Sequence, residues 1–129
     1  MAVQTKQYWL AKKAQLEMID KAFIAGQWVD ASDGGRIESI NPATGELLVA
    51  GADCTEQDVD AAVNAARSSF ESGVWSELAP GERKAVLKKL ALLITQHSEE
   101  LALLESLNVG KPVQDALHID IPGSAACFD

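Results

Sequence analysis

Between Thr55 and Gly110 apolar residues recur at helical spacing in two successive series, and no other feature limits the fold as strongly. The first series is Val59, Ala62, Val63, Ala66 and Phe70, the i, i+3, i+4, i+7 and i+11 positions of one helical side. Thr55 precedes it with a hydroxyl suited to cap the first amides, Glu56 and Asp58 place negative charge at the positive end of the helix dipole, and Ser72-Gly73 closes it. The second series opens at Pro80, whose fixed φ and missing N–H suit a first helical turn. It runs through Val86, Leu87, Leu90, Leu93, Ile94, Leu101 and Leu104 and stops at Gly110 and Pro112. Ser98-Glu99-Glu100 also has the composition of a fresh start, so this run is either one helix or two with a bend near His97. The two series are expected to cover each other only in part.

The flanks read more briefly. Good helix formers from Thr5 to Lys21, with Trp9, Leu16 and Ile19 as an intermittent stripe, predict a surface helix. Phe23-Ile24 and Trp28-Val29 bracket Ala25-Gly26-Gln27 as two short strands around a turn where Gly26 takes a positive φ. Arg36–Ile40 and Leu47–Ala50 form a second pair around the turn Asn41-Pro42-Ala43-Thr44-Gly45. Past Pro112, Val113–Leu117 suits a helical turn, and Asp120-Ile121-Pro122 the cap and opening of another helix.

A chain of 129 residues with 47% hydrophobic content suits one small domain around one core. No repeat or Gly/Ser linker marks an internal boundary. The net charge of −8 argues against nucleic acid and anionic membranes as partners, since binding to phosphate backbones rests on Lys and Arg. No apolar stretch approaches a membrane span, and Lys12-Lys13 is not followed by the core of a secretion signal. Cys54 and Cys127 stand far apart without a CxxC pair, which points to neither a zinc site nor a disulfide framework and fits a reducing cytoplasm.

Three ordered blocks carry a family resemblance: Phe23-Ile24-Ala25-Gly26-Gln27-Trp28-Val29, Ser39-Ile40-Asn41-Pro42-Ala43-Thr44-Gly45-Glu46, and Leu103-Leu104-Glu105-Ser106-Leu107-Asn108-Val109-Gly110-Lys111-Pro112. Together with Asp58–Arg67, Trp75 and Glu82-Arg83 leading into Leu90-Ala91, they resemble the aldehyde dehydrogenases from Phe23 to the end. Tyr8-Trp9, Lys12-Lys13-Ala14 and Asp120-Ile121-Pro122-Gly123 look most like the bacterial gamma-glutamyl-gamma-aminobutyraldehyde dehydrogenases of putrescine breakdown. The resemblance implies an α/β fold: residues 1–129 form the amino-terminal part of a Rossmann-like coenzyme-binding domain, helix-rich with short antiparallel strand pairs, residues 1–21 being its first helix. It implies a parent oxidoreductase that oxidises an aldehyde to a carboxylic acid with NAD or NADP through a cysteine thiohemiacetal. The nucleophile, the water-activating glutamate and the dinucleotide site belong to later polypeptide, so no catalytic or coenzyme-binding residue transfers, and no coenzyme is expected on this segment alone. The implied partners are the remainder of the aldehyde dehydrogenase chain and further copies in a homo-oligomer. One site does transfer, a monovalent cation held by the carbonyls of Ser39 and Ile40 and the side chain of Asn108. Asn108 stands where a carboxylate is usual, which weakens the attraction and makes a hydrogen bond at the helix end the simpler role.

Other candidates have plainer explanations. Cys54 precedes a helix start, which favours a thiolate, but no base accompanies it, and Ala52-Asp53-Cys54-Thr55 is unlike the Gly-Gln-x-Cys setting of the family nucleophile. Cys127 between Ala126 and Phe128 reads as a small packed residue. His97 is expected to be hydrogen-bonded at a helix junction, and Trp9, Trp28 and Trp75 to serve packing. Gly34-Gly35 and Gly51 lack the spacing of a phosphate loop, and Asp53, Glu56, Asp58 and Asp60 read as a solvated helix start. Uncovered stripes predict self-association of the isolated segment. The alternatives are a small helical protein-interaction module and a thiol- or metal-dependent enzyme built on Cys54.

Overall fold

Strand pairing and helix capping set the order of elements. A computed structural model describes residues 4–129. Along the chain come α1 (Lys6–Lys13), β1 (Ala22–Ile24), β2 (Gln27–Val29), β3 (Arg36–Ile40), β4 (Leu47–Ala52) and α2 (Glu56–Glu71). Next are α3 (Pro80–Gln96), α4 (Ser98–Val109), α5 (Val113–Asp115), a π-helical turn (Ala116–Asp120) and α6 (Ile121–Ala126). The chain is thus helix-rich with two short antiparallel strand pairs, as the sequence implies. Its packing gathers into two units, although no linker announces the division: the described residues up to Glu17 (4–17) with Asn41–Glu46 and Lys84–Asp129, and Met18–Ile40 with Leu47–Arg83.

In the strand-bearing unit, Phe23 pairs with Trp28 across β1 and β2, their ring centroids 4.8 Å apart. Ala25 and Gly26 both adopt positive φ, 52° and 79°, the geometry that matches the twist of a two-residue hairpin. β3 and β4 pair from Arg36 opposite Ala52 to Ile40 opposite Leu47, and a slip between Ser39 and Ile40 leaves Leu48 as the extra residue of a bulge.

α2 opens on a reciprocal capping box. The Asp58 N–H donates to Thr55 Oγ1 at 3.4 Å while the Thr55 N–H donates to Asp58 Oδ2 at 2.8 Å. The Ser32 N–H reaches both Asp58 oxygens, at 3.2 and 3.1 Å. The backbone amides of Thr55 and Ser32 hold the buried Asp58 carboxyl below the usual carboxylate range. The apolar face of α2 is largely open, in line with the expectation that the stripes stay partly uncovered: Val59, Val63 and Phe70 are 53%, 60% and 69% exposed. The period is helical as expected, but a helical period names a face without supplying the surface that covers it.

In the other unit α4 is the centre. Its Ala102, Leu103 and Leu107 are buried, as are Trp9 of α1, Ala116 and Leu117 of the π-turn and Ala125 of α6. α4 packs on α1 and on the run from α5 to α6. His97, with φ −99° and ψ 19°, separates α3 from α4, so the long stripe is two helices. Gly110 ends α4 at φ 76°, and Pro112 starts the return.

Three local expectations need correction. The helix expected over Thr5–Lys21 ends at Lys13, because only Trp9 is buried along it and short helices persist only where a face is packed. Leu16 and Ile19 lie past its end. Asp120 caps nothing: its backbone is helical and its carboxylate binds Lys111. α5, the π-turn and α6 are one continuous helical run, in which the wider turn accommodates Pro122, a residue that lacks an N–H and would crowd the carbonyl four residues back. Cys127, expected inside, is exposed at the end of α6.

Candidate functional site

The second and third sequence blocks meet at the turn Asn41–Gly45 and the end of α4. The buried Asn41 organises the turn. Its Oδ1 accepts from the Ala43 N–H at 2.9 Å and its carbonyl from the Gly45 N–H at 2.8 Å, while its own N–H donates to the Glu46 carbonyl at 2.9 Å. Pro42 lies so close to Gly110 that a Cβ there would stand 3.0 Å from Pro42 Cγ. Two motifs that are each only a turn and a helix stop in the sequence therefore form one packed corner. Beyond it, Ser106 Oγ donates to the Lys111 carbonyl at 2.7 Å, and the Lys111 ammonium pairs with Asp120, which raises the Lys111 pKa above the ordinary lysine value.

Of the residues expected around a cation, Ser39 and Ile40 lie at the bulged end of β3, and Asn108 lies in the last turn of α4, with its Nδ2 donating to the Leu104 carbonyl at 3.0 Å. The first two belong to one unit and the third to the other. Cys54 is exposed just before the Thr55 cap. His97 does sit at a helix junction, with Nδ1 3.2 Å from Glu100 Oε2. Among the tryptophans, Trp9 is buried, and Trp28 and Trp75 are about half exposed.

A polar cluster that sequence reasoning missed lies between α1 and α4. Tyr8 donates its hydroxyl hydrogen to Glu99 Oε2 at 2.5 Å, and the Lys12 ammonium approaches the same oxygen at 2.9 Å. The Tyr8 hydrogen bond, followed by that of Lys12, holds Glu99 below its usual range, while Glu99 pushes both the Tyr8 and the Lys12 pKa upward. Each group is thereby fixed in its ordinary neutral-pH state, so the cluster clamps α1 to α4 and is poorly suited to proton transfer. The available signal was Tyr8-x-x-x-Lys12, two residues one turn apart on a helix; their partner, 87 residues beyond Lys12, read only as helix-start charge. Beside the clamp an open cavity of about 400 Å³ is bordered by Gln4, Thr95, Glu99, Leu117, His118 and Ile121, among others.

The described strands form two antiparallel pairs, and no glycine-rich turn leads from a strand into a helix N-terminus. Among the described residues no helix is long and apolar enough to cross a membrane.

Comparison with known proteins places this geometry. The sequence model of the aldehyde dehydrogenase family matches residues 28–129. Aminoacetaldehyde dehydrogenase of Pseudomonas aeruginosa is 45% identical over 118 residues, which are 92% of this chain and 24% of that protein. The NADP/NAD-dependent aldehyde dehydrogenase PuuC of Escherichia coli is 44% identical over the same shares. Among solved structures, gamma-glutamyl-gamma-aminobutyraldehyde dehydrogenase from Burkholderia cenocepacia superposes with a TM-score of 0.91 at 46% identity, covering 94% of this chain and 24% of that one. The P. syringae indole-3-acetaldehyde dehydrogenase, solved with NAD+ and IAA, gives 0.94 at 43% identity, covering 98% and 26%. The chain spans about a quarter of the length of the relatives it matches.

Proposed function

This chain belongs to the aldehyde dehydrogenase family, and on that premise we propose that it is the amino-terminal quarter of an enzyme that oxidises an aldehyde to a carboxylic acid with NAD or NADP through a cysteine thiohemiacetal. The observation that carries the reading is identity of 44–45% across 92% of this chain to enzymes of which it covers only 24%. The open faces of α2 and α3 support it, since helices with uncovered apolar sides belong to a larger packed body. In this reading the chain's own residues build the corner at Asn41–Gly45 and the α4-centred packing, and the remainder supplies a Rossmann-like parallel sheet, the nucleophile and the coenzyme site. The aldehyde is left to that remainder as well, because relatives named for different aldehydes are about equally similar here.

To the same reading belong a cytoplasmic location and assembly of the parent into a homo-oligomer. Isothermal calorimetry of the chain with NAD is the test. No heat of binding is expected, and none of the chain's residues is expected to support coenzyme reduction by an aldehyde. Saturable micromolar binding, or steady formation of reduced coenzyme, overturns the reading.

A further inference from the structure

We propose that Asp33 is a latent modification site, an aspartyl–glycine bond able to rearrange to isoaspartate, and that the turn Ala31–Gly35 holds it shut through its tie to Asp58. Asp33 is the one Asp or Asn in the chain that precedes a glycine. The side-chain carbonyl carbon of such a residue can be attacked by the next backbone nitrogen, and Gly34 has no Cβ to crowd that approach. Both residues are exposed, so water reaches them. In the step, the Gly34 nitrogen bonds to Asp33 Cγ and a water molecule leaves, made of the amide hydrogen and the carboxyl hydroxyl. The cyclic imide that results takes water back at either carbonyl. Opening at Cγ restores aspartate, whereas opening at the backbone carbonyl leaves the chain running through the side chain, a methylene longer. Mass is unchanged, and nothing beyond water takes part.

The fold engages both reacting groups elsewhere. The Gly34 N–H donates to the Ala31 carbonyl at 2.8 Å, and Asp33 Oδ1 accepts from the Gly35 N–H at 2.7 Å. Ring closure must break the first bond, since the amide loses its hydrogen, and must draw the carboxyl away from the second. The turn is pinned on both sides as well. Ser32 gives its N–H to both oxygens of Asp58, at 3.2 and 3.1 Å, and its hydroxyl hydrogen to Oδ2 at 3.1 Å. The Gly35 carbonyl accepts from the Asp53 N–H at 3.0 Å. Asp58 thus does more than cap α2: it keeps the neighbouring turn in a shape in which reaction waits for local opening. Rearrangement would in turn undo the shape, because a longer backbone at Asp33 shifts Ser32 off Asp58 and Gly35 off Asp53.

The test ages the chain, its variants and the free peptide of residues 28–40 in mildly acidic heavy-oxygen water. Tandem mass spectrometry reads label entry at Asp33, and an isoaspartyl methyltransferase counts the rearranged product. The folded chain should convert at least about tenfold more slowly than the peptide, because opening must first break several backbone hydrogen bonds. Asp58→Ala should accelerate the folded chain at least about fivefold, the scale of losing one such tie. Asp58→Asn keeps one side-chain acceptor for the Ser32 N–H and should fall between, which keeps the test decisive if circular dichroism shows that Asp58→Ala loses helix content. Thr55→Ala, which weakens the α2 cap yet leaves the Ser32–Asp58 bonds, should change the rate less than about twofold. Conversion of the wild-type chain as fast as the peptide overturns the protection, and a peptide that does not convert overturns the site. Equal acceleration by Thr55→Ala and Asp58→Asn overturns the role given to Asp58.

Discussion

α3 and α4 share one apolar stripe in the sequence and part company in the structure. α4 buries Ala102, Leu103 and Leu107, whereas α3 buries Ala91 alone. The difference lies in the chain segments that return over each helix. After α4, Gly110 and Pro112 turn the chain so that α5, the π-turn and α6 pack back on it, and α1 adds Trp9 from the other end of the sequence. α3 is tied to the chain just past α6 by the Lys88–Asp129 ion pair at 2.8 Å. Spacing of apolar residues thus identifies helices and their inward faces, while burial depends on which segments come back.

The sharpest way to break this comparison is to truncate a leucine on each helix. Leu103→Ala, at a buried position, should cost about 2–4 kcal/mol in urea unfolding, and Leu90→Ala under about 1 kcal/mol. Equal losses would show that α3 is as well packed as α4.

Glycines give the next largest contrast. Gly110→Ala forces a Cβ into a positive φ and against Pro42, which should cost about 1–2 kcal/mol. Gly81→Ala in the first turn of α3 meets no atom within 4 Å and should stabilise by about 0.4–1 kcal/mol, read as a rise in the unfolding midpoint. A comparable effect is expected away from both helices at the α2 cap, where Thr55→Ala should cost about 1 kcal/mol in the same titration.

The smallest effect concerns the clamp. Glu99 is held below the ordinary carboxylate range, so its contribution is complete above the ordinary glutamate pKa of about 4.3 and fades as pH falls through the lower folded value. Lys12 is raised, so its share is complete below the ordinary lysine value and fades as pH climbs through the folded one. The protection of the amides along Lys6–Lys13, taken against the intrinsic exchange rate at each pH, should therefore fall at both extremes, and Glu99→Gln should remove the acid limb. An unchanged acid limb in that variant would assign the docking of α1 to Trp9 alone.

Much of the fold was readable residue by residue. Thr55 with Asp58 announced the α2 cap, Gly26 the first hairpin, Asn41–Gly45 the second turn, and Gly110 with Pro112 the stop after α4, since each is a preference of backbone conformation or of an unsatisfied amide acting over a few residues. The Tyr8–Glu99 clamp was not readable, nor was the contact of Pro42 with Gly110, because nothing local to either partner encodes the other. The early end of α1 was hidden for a related reason: good helix formers permit a helix, but only packing sustains one that short.

By itself, then, the sequence determined where most helices and strands begin, the α2 cap and the tight turns, and the family to which the ordered blocks belong, because those depend on short-range sterics and on side chains read in order. Only the tertiary structure decided that α4 rather than α2 or α3 becomes the centre of a packed unit, that Pro122 is absorbed by a widened turn, and that Glu99 gathers α1. Burial is a property of pairs of surfaces, and a single strip of sequence contains just one member of each pair.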